Sequence, residues 1–106
     1  MGKSPENIEE MNYPVKILPE ALKDLEEALV FYESVSIKVK DKFLNELDKL
    51  IKLIADFPEI FPAKRKHYRE ALMKKFPFVI IYTFDGTQVT VYAVFHVRRA
   101  PESKLG

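Results

Sequence analysis

The spacing of apolar residues predicts a short strand followed by a first helix. Between Tyr13 and Leu18, Val15 and Ile17 alternate with other residues, as in a short strand. Pro19 then suits the first turn of a helix, where the amide hydrogen that proline lacks would have no partner. The apolar residues that follow keep to one helical stripe, which ends at a break containing serine. They are Ala21, Leu25, Ala28, Leu29 and Tyr32.

A second, longer helix is predicted after this break. Ser36 is a suitable N-cap, because a serine side chain can accept a hydrogen bond from a backbone amide of the first turn. The apolar stripe extends over roughly 20 residues to Phe57, and Pro58 then disfavours further helix. The stripe consists of Val39, Phe43, Leu47, Leu50, Ile51 and Ile54, widened by Leu44 and Leu53. Two amphipathic helices joined by a short break are expected to pair as an antiparallel hairpin and to bury both stripes on a sheet.

The last third of the chain predicts three strands, at residues 68–74, 78–84 and 88–97. Asp85-Gly86 is typical of a two-residue hairpin turn, because both turn residues need positive φ. Such a turn pairs Phe84 with Thr87, and a slip of one residue would exchange the two faces of the sheet. The face predicted to pack on the helices carries Phe78, Ile80, Tyr82, Phe84, Val89, Val91, Ala93 and Phe95. The opposite face is predicted to carry Val79, Ile81, Thr83, Thr90, Tyr92, Val94, His96 and Arg98.

The order of these elements predicts an α+β fold. A helical hairpin packs on one face of a mostly antiparallel four-stranded sheet, in the chain order β-α-α-β-β-β. The first strand is expected to complete the sheet by pairing with a central strand. A length of 106 residues suits one domain. We place this domain at residues 13–103 and expect residues 1–12 to be a flexible leader.

Composition argues against several classes of protein. The absence of cysteine excludes disulfides and thiolate metal ligands, and two histidines far apart in sequence argue against a structural zinc site. We therefore expect no metal and no other cofactor. No apolar run reaches the roughly 18 residues that span a bilayer, and we recognise no signal-peptide pattern. We expect a cytoplasmic protein without a membrane partner.

The charge is unevenly distributed along the chain. Residues 1–62 hold 8 Lys and Arg against 13 Asp and Glu, a net charge of −5. Residues 63–106 hold 9 Lys and Arg against 3 Asp and Glu, a net charge of +6. Such a division suggests an anionic partner for one face. The alternative is that the basic half balances the acidic half within one fold.

Six basic residues of the last strands are candidates for a functional site: Arg69, Lys74, Lys75, His96, Arg98 and Arg99. Because adjacent antiparallel strands share their ends, Lys74 and Lys75 are expected near His96 and Arg98. Clustered cations suit a phosphate, so all of these residues except His96 are candidates for binding a phosphate or a target. RNA cleavage without a metal needs a base, an acid and cations, and Lys74, His96, Arg98 and Arg99 are the candidates for these roles. The alternative is that the arginines pair with helix carboxylates and that His96 is only structural. The other histidine, in the basic segment 64–69, is expected to be solvated.

The order of a strand, a helical hairpin and three strands resembles the RelE/ParE toxin superfamily, and several motifs carry the resemblance over residues 13–103. The shorter motifs are Pro19-Glu20-Ala21-x-x-Asp24-Leu25, Phe43-Leu44, Phe57-Pro58 and Arg69-x-x-Leu72. The strongest are Lys75-Phe76-Pro77-Phe78-x-Ile80-x-Tyr82 and Val94-x-His96-x-Arg98-Arg99-x-Pro101. The resemblance implies a toxin of a type II toxin–antitoxin module, also called a plasmid stabilisation protein. Its growth arrest is prevented by a cognate antitoxin whose C-terminal segment wraps the toxin.

The resemblance leaves two branches to choose between. The Phe-Pro-Phe and His-x-Arg-Arg-x-Pro motifs are more similar to the ParE branch, which inhibits DNA gyrase by protein contact. The RelE branch cleaves mRNA on the ribosome, using Lys, Arg and a C-terminal Tyr. Lys74 and either Arg98 or Arg99 lie near its basic positions, but residues 101–106 contain no Tyr.

We therefore expect a ParE-like toxin that acts by binding, as a homodimer or as a heterotetramer with its antitoxin. One alternative is a RelE-like, metal-independent endoribonuclease that acts on mRNA at the ribosome. Another is a non-toxic module that binds only an antitoxin or a second copy of itself.

Overall fold

The structure, a computed structural model, describes residues 12–97. The predicted leader, apart from Asn12, and the end of the predicted domain after Val97 lie outside the described residues. Strand β1 spans Val15–Ile17, helix α1 spans Pro19–Val35 and helix α2 spans Ile37–Asp56.

A single residue, Ser36, separates the two helices. Its backbone is extended, with φ −173° and ψ 154°, and its N–H donates to the carbonyl of Tyr32 at the end of α1. Its side-chain oxygen accepts the N–H of Val39 at 3.0 Å, so the predicted N-cap of α2 is confirmed. The helix pair is therefore a tight antiparallel hairpin, as the apolar stripes predict.

The sheet has five strands, one more than predicted. The later strands are β2, Ala63–Arg65; β3, Tyr68–Leu72; β4, Phe78–Phe84; and β5, Val89–His96. The strand order is β1-β5-β4-β3-β2, with β1 parallel to β5 and the other pairs antiparallel. The additional strand is β2, which comes from the connector and basic segment after α2. The predicted α+β fold is otherwise confirmed, as is the pairing of the first strand with a central strand, since β1 lies at the edge of the sheet beside β5.

The turn between β4 and β5 is longer than predicted. Phe84 pairs with Val89, which leaves four connecting residues instead of two. Asp85 organises this turn, because its Oδ1 accepts the N–H groups of Thr87 and Gln88, each at 2.9 Å, together with the hydroxyl of Thr87. These hydrogen bonds lower the pKa of the Asp85 carboxyl.

A β-bulge in β5 overturns the predicted faces at the end of that strand. Tyr82 pairs with Val91 and Ile81 pairs with Ala93, so Tyr92 is an extra residue on β5. The alternation of side chains is therefore reversed beyond Tyr92. Ala93 and Phe95 were predicted to face the helices, yet they lie on the opposite face. Val94 and His96 were predicted to face away, yet they lie on the helix side.

The main core lies between the helical hairpin and the sheet. Phe43 of α2 and Ile80 and Tyr82 of β4 are fully buried there. Four aromatic rings pack against one another there at centroid distances of 5.1–6.1 Å. They belong to Tyr32, Phe43, Phe76 and Phe78. A second, smaller cluster on the other face consists of Val79, Ile81, Ala93 and Phe95, against which Tyr68 packs. We call the face that carries this cluster the second face.

Candidate functional site

The structure brings the β3–β4 loop to the end of β5, as the strand order predicts. The N–H of Met73 donates to the carbonyl of Phe78 at 2.9 Å, and the N–H of Val97 donates to the carbonyl of Pro77 at 2.8 Å. Phe78 pairs with His96 across the strands. Lys74 and Lys75 lie in this loop with exposed side chains, at the same end of the sheet as His96.

A carboxylate from α2 holds the two lysine residues in place. Oε2 of Glu46 accepts the N–H of Lys74 at 2.7 Å and the N–H of Lys75 at 3.1 Å. The contact uses the backbone amides of the lysines and leaves their ammonium groups out of the interaction with Glu46. Sequence reasoning missed Glu46, because nothing in a helical periodicity indicates which polar residue reaches a loop 28 residues away.

The reversed end of β5 places His96 against the helices. Its ring lies 5.4 Å from that of Phe78, with an interplanar angle of 73°. It lines a cavity of about 190 Å³ between α1 and the ends of β4 and β5, together with Asp24 and Phe31. The prediction that His96 faces away from the helices is therefore wrong, and the cause is the extra residue in β5.

Asp24 supplies a hydrogen-bond acceptor to the backbone of β5 beyond the bulge. Strand β1 ends opposite Val91, so among residues 12–97 no strand pairs with the following part of β5 on that side. There the N–H of Val94 donates to Oδ2 of Asp24 at 3.0 Å. An aspartate from α1 thus replaces a missing strand partner across 70 residues of sequence. The motif that opens α1 contains this residue, so one of its roles is structural.

Arg69 is oriented toward the protein interior. It lies opposite Tyr82 in the β3–β4 register, and its guanidinium donates to the carbonyl of Phe61. Tyr82 donates its hydroxyl to the carbonyl of Pro58 at 2.6 Å. Burial raises the pKa of Tyr82 to about 12, and the positive charge of Arg69 opposes this shift. Arg69 therefore fixes the connection between α2 and β2, whereas its predicted role in binding a phosphate or target stays a prediction.

The remaining two candidates, Arg98 and Arg99, lie outside the described residues. Their predicted roles in catalysis and binding therefore stay predictions. Among residues 12–97, no group of three or more His, Asp or Glu side chains is arranged to hold a metal ion. Within the same range, no helix is both long and apolar enough to cross a membrane.

The second face combines an apolar strip with cations at its margins. Lys16 of β1 pairs with Thr90 of β5, and Arg65 of β2 pairs with Tyr68 of β3, so both cations lie on outer strands. The ring of Tyr68 contacts that of Tyr92 at 5.2 Å and 87°. His67, predicted to be merely solvated, stacks on Tyr68 at 4.8 Å and 22°.

Fold and site together define a class of small α+β protein. Its helical hairpin, five-stranded sheet and basic second half agree with the RelE/ParE-like fold that the motifs imply. The family model described as ParE toxin of type II toxin–antitoxin system, parDE, matches residues 15–101. Because the match covers most of the chain, the protein belongs to this family of type II toxins.

One solved structure illustrates the similarity of fold. The chain is similar to a chain of the chromosomal ParDE toxin–antitoxin system from P. aeruginosa, with a TM-score of 0.68 and 15% sequence identity. The similarity covers 81% of this chain and 97% of that chain. At this identity the likeness concerns the fold. No curated protein sequence matches the chain.

Proposed function

We propose that this protein is a ParE-like toxin that inhibits DNA gyrase by binding to it, in the cytoplasm where gyrase acts. The observation that carries this proposal is the match of the ParE toxin family over residues 15–101. The orientation of one candidate catalytic residue supports it, because His96 lies against Phe78 on the helix side.

We further propose that a cognate antitoxin neutralises the protein by laying an acidic, amphipathic segment across the second face. The apolar strip of this face continues into Leu72, which pairs with Val79 and is 60% exposed. Lys16 and Arg65 on the outer strands offer positive charge to an acidic segment. Both features favour a partner segment that alternates apolar and acidic side chains, as an extended strand would present them.

Expression and neutralisation test the toxin proposal. Induction of the protein alone is expected to arrest growth, and co-expression of the small protein encoded by the adjacent gene is expected to restore it. Leu72→Glu is expected to weaken this rescue, because it places a negative charge among the apolar contacts. Leu22→Glu is the matched control, since Leu22 is 48% exposed on α1. Normal growth during induction would instead support the non-toxic interaction module.

Binding to gyrase separates the two toxic mechanisms. The purified protein is expected to bind the isolated gyrase subunits in isothermal titration calorimetry. The RelE-like alternative predicts instead that mRNA on translating ribosomes is cleaved and that Lys74→Ala or Arg98→Ala abolishes the cleavage. Ribosome-dependent cleavage without gyrase binding would overturn the proposed function.

A further inference from the structure

A cleft lies at the end of α2, far from the basic end of the sheet. It has a volume of about 420 Å³ and opens between the end of α2 with the residues that follow it, Tyr13 before β1, and Phe84 at the end of β4. His96 lies at the other end of β5, about seven residues or roughly 23 Å along an extended strand. We call this feature the α2 cleft. Among the motifs that carry the resemblance, Phe57-Pro58 contributes to its lining, whereas none of the candidate cations does.

Aromatic and aliphatic side chains form the walls of the α2 cleft. The rings of Tyr13 and Phe84 meet edge to face, with centroids 4.8 Å apart and an interplanar angle of 66°. Phe57 and Ile60 are 50% and 55% exposed on its rim. Exposed apolar side chains grouped around a cavity are typical of a surface that binds a partner. The hydroxyl of Tyr82, bonded to the carbonyl of Pro58, ties the base of the cleft to β4.

The α2 cleft is also negative, and its lining within residues 12–97 contains no cation. Asp56 is the last residue of α2, at the negative end of the helix dipole, and Glu59 follows in the next turn. The last turn of α2 contains no basic residue, although the helix carries five lysines further from this end. Within residues 12–97, neither carboxylate forms an ion pair. A carboxylate at a helix C-terminus is unfavourable unless a cation lies beside it.

We propose that the α2 cleft binds an arginine side chain presented by a partner protein. A guanidinium can stack on the faces of aromatic rings such as Tyr13 and Phe57 while it bonds bidentately to a carboxylate. The two carboxylates and the helix end supply the complementary charge. Residues 1–11 of this chain, with one Lys and three Glu, carry the same sign of charge as the cleft, which favours an external partner. The inference does not depend on whether that partner is an antitoxin or a target.

Titration with a minimal ligand tests the inference. Acetyl-arginine amide is added to the ¹⁵N-labelled full chain, and acetyl-citrulline amide serves as the neutral isostere. We expect the arginine compound to shift the amide resonances of Tyr13, Phe57 and Ile60, and added salt to reduce the effect. Citrulline is expected to bind about tenfold more weakly, because it lacks the charge-assisted hydrogen bonds. Equal binding of the two compounds, or no binding of the arginine compound, would overturn the proposal.

Two sets of variants provide the control. The Asp56→Asn/Glu59→Gln double variant is expected to lose about tenfold in affinity for the arginine compound, whereas Glu26→Gln on α1 is expected to leave it unchanged. Asp56→Asn alone is expected to raise the melting temperature, because it removes a negative charge from the negative end of α2. Unchanged affinity in the double variant, or a lower melting temperature for Asp56→Asn, would contradict the assignment.

Discussion

Tyr82→Phe removes one oxygen atom from the core and changes the pH dependence of stability in a way that can be calculated. Tyr82 is 0% exposed, and its hydroxyl donates to the carbonyl of Pro58 at 2.6 Å. Without the hydroxyl, that carbonyl loses its partner in the turn that follows α2. We expect the free energy of unfolding to fall by about 1–2 kcal/mol at neutral pH.

At alkaline pH the same substitution is expected to become stabilising. Burial raises the pKa of Tyr82 in the folded protein to about 12, from an ordinary value of 10.0. The folded state thus prefers the neutral phenol. The stability that the neutral phenol of Tyr82 contributes is fully present below pH 10 and is lost as the pH rises through 12. The loss approaches about 3 kcal/mol, which exceeds the cost at neutral pH, so the two stability curves cross at about pH 11–12.

Urea denaturation followed by circular dichroism at a series of pH values measures this effect. Groups that titrate in both proteins cancel in the difference between wild type and Tyr82→Phe. Tyr92→Phe, which changes a partly exposed tyrosine, is the matched control and is expected to change stability by less than about 0.5 kcal/mol at neutral pH. Parallel curves for wild type and Tyr82→Phe between neutral pH and pH 12 would refute the reasoning, because they would mean that the phenol titrates alike in both states.

Three further predictions concern the loops that join the strands. Glu46→Ala leaves two backbone amides of the β3–β4 loop without their acceptor. We expect the free energy of unfolding, measured by urea denaturation, to fall by about 1 kcal/mol. An unchanged free energy of unfolding would contradict this role of Glu46. Asp85→Ala is expected to flatten the acid side of the stability profile. In the wild type, the lowered pKa of the Asp85 carboxyl stabilises the folded state above pH 3.8, the ordinary pKa, and this stabilisation is lost as the pH falls. If acidification lowered the melting temperatures of wild type and variant equally, this role of Asp85 would be contradicted. Gly86→Ala places a side chain at φ +96°, where no atom clashes but the backbone is disfavoured. We expect a loss of about 1 kcal/mol, measured as a lower urea midpoint, whereas an unchanged midpoint would mean that the turn relaxes.

Local patterns in the sequence predicted most of the fold. The helical stripes, the cap at Ser36 and the span of β4 were all visible, because each depends on residues a few positions apart. The bulge at Tyr92 was not visible. Strand β5 is buried on both faces, so its sequence lacks the clear alternation of apolar and polar residues that would reveal an inserted residue. One extra residue was enough to move His96 to the helix side.

The parts of the site that depend on distant contacts could not be predicted. Glu46 reaches the β3–β4 loop across 28 residues, and Asp24 reaches β5 across 70 residues. Such contacts arise only when helices and sheet are assembled, and no spacing rule identifies the residues involved. Strand β2 is three exposed residues long, so it also carries no burial pattern. By contrast, the position of Lys74 at the end of the sheet that carries His96 follows from strand order alone.

The most direct test of the proposed function is a supercoiling assay that contains only gyrase, relaxed plasmid, ATP and this protein. Because neither RNA nor a ribosome is present, an effect can arise only from contact with gyrase or its DNA. We predict that supercoiling is lost at a stoichiometric amount of the toxin and is restored when the antitoxin is added. Full gyrase activity in the presence of a preparation that cleaves mRNA on translating ribosomes would contradict the account.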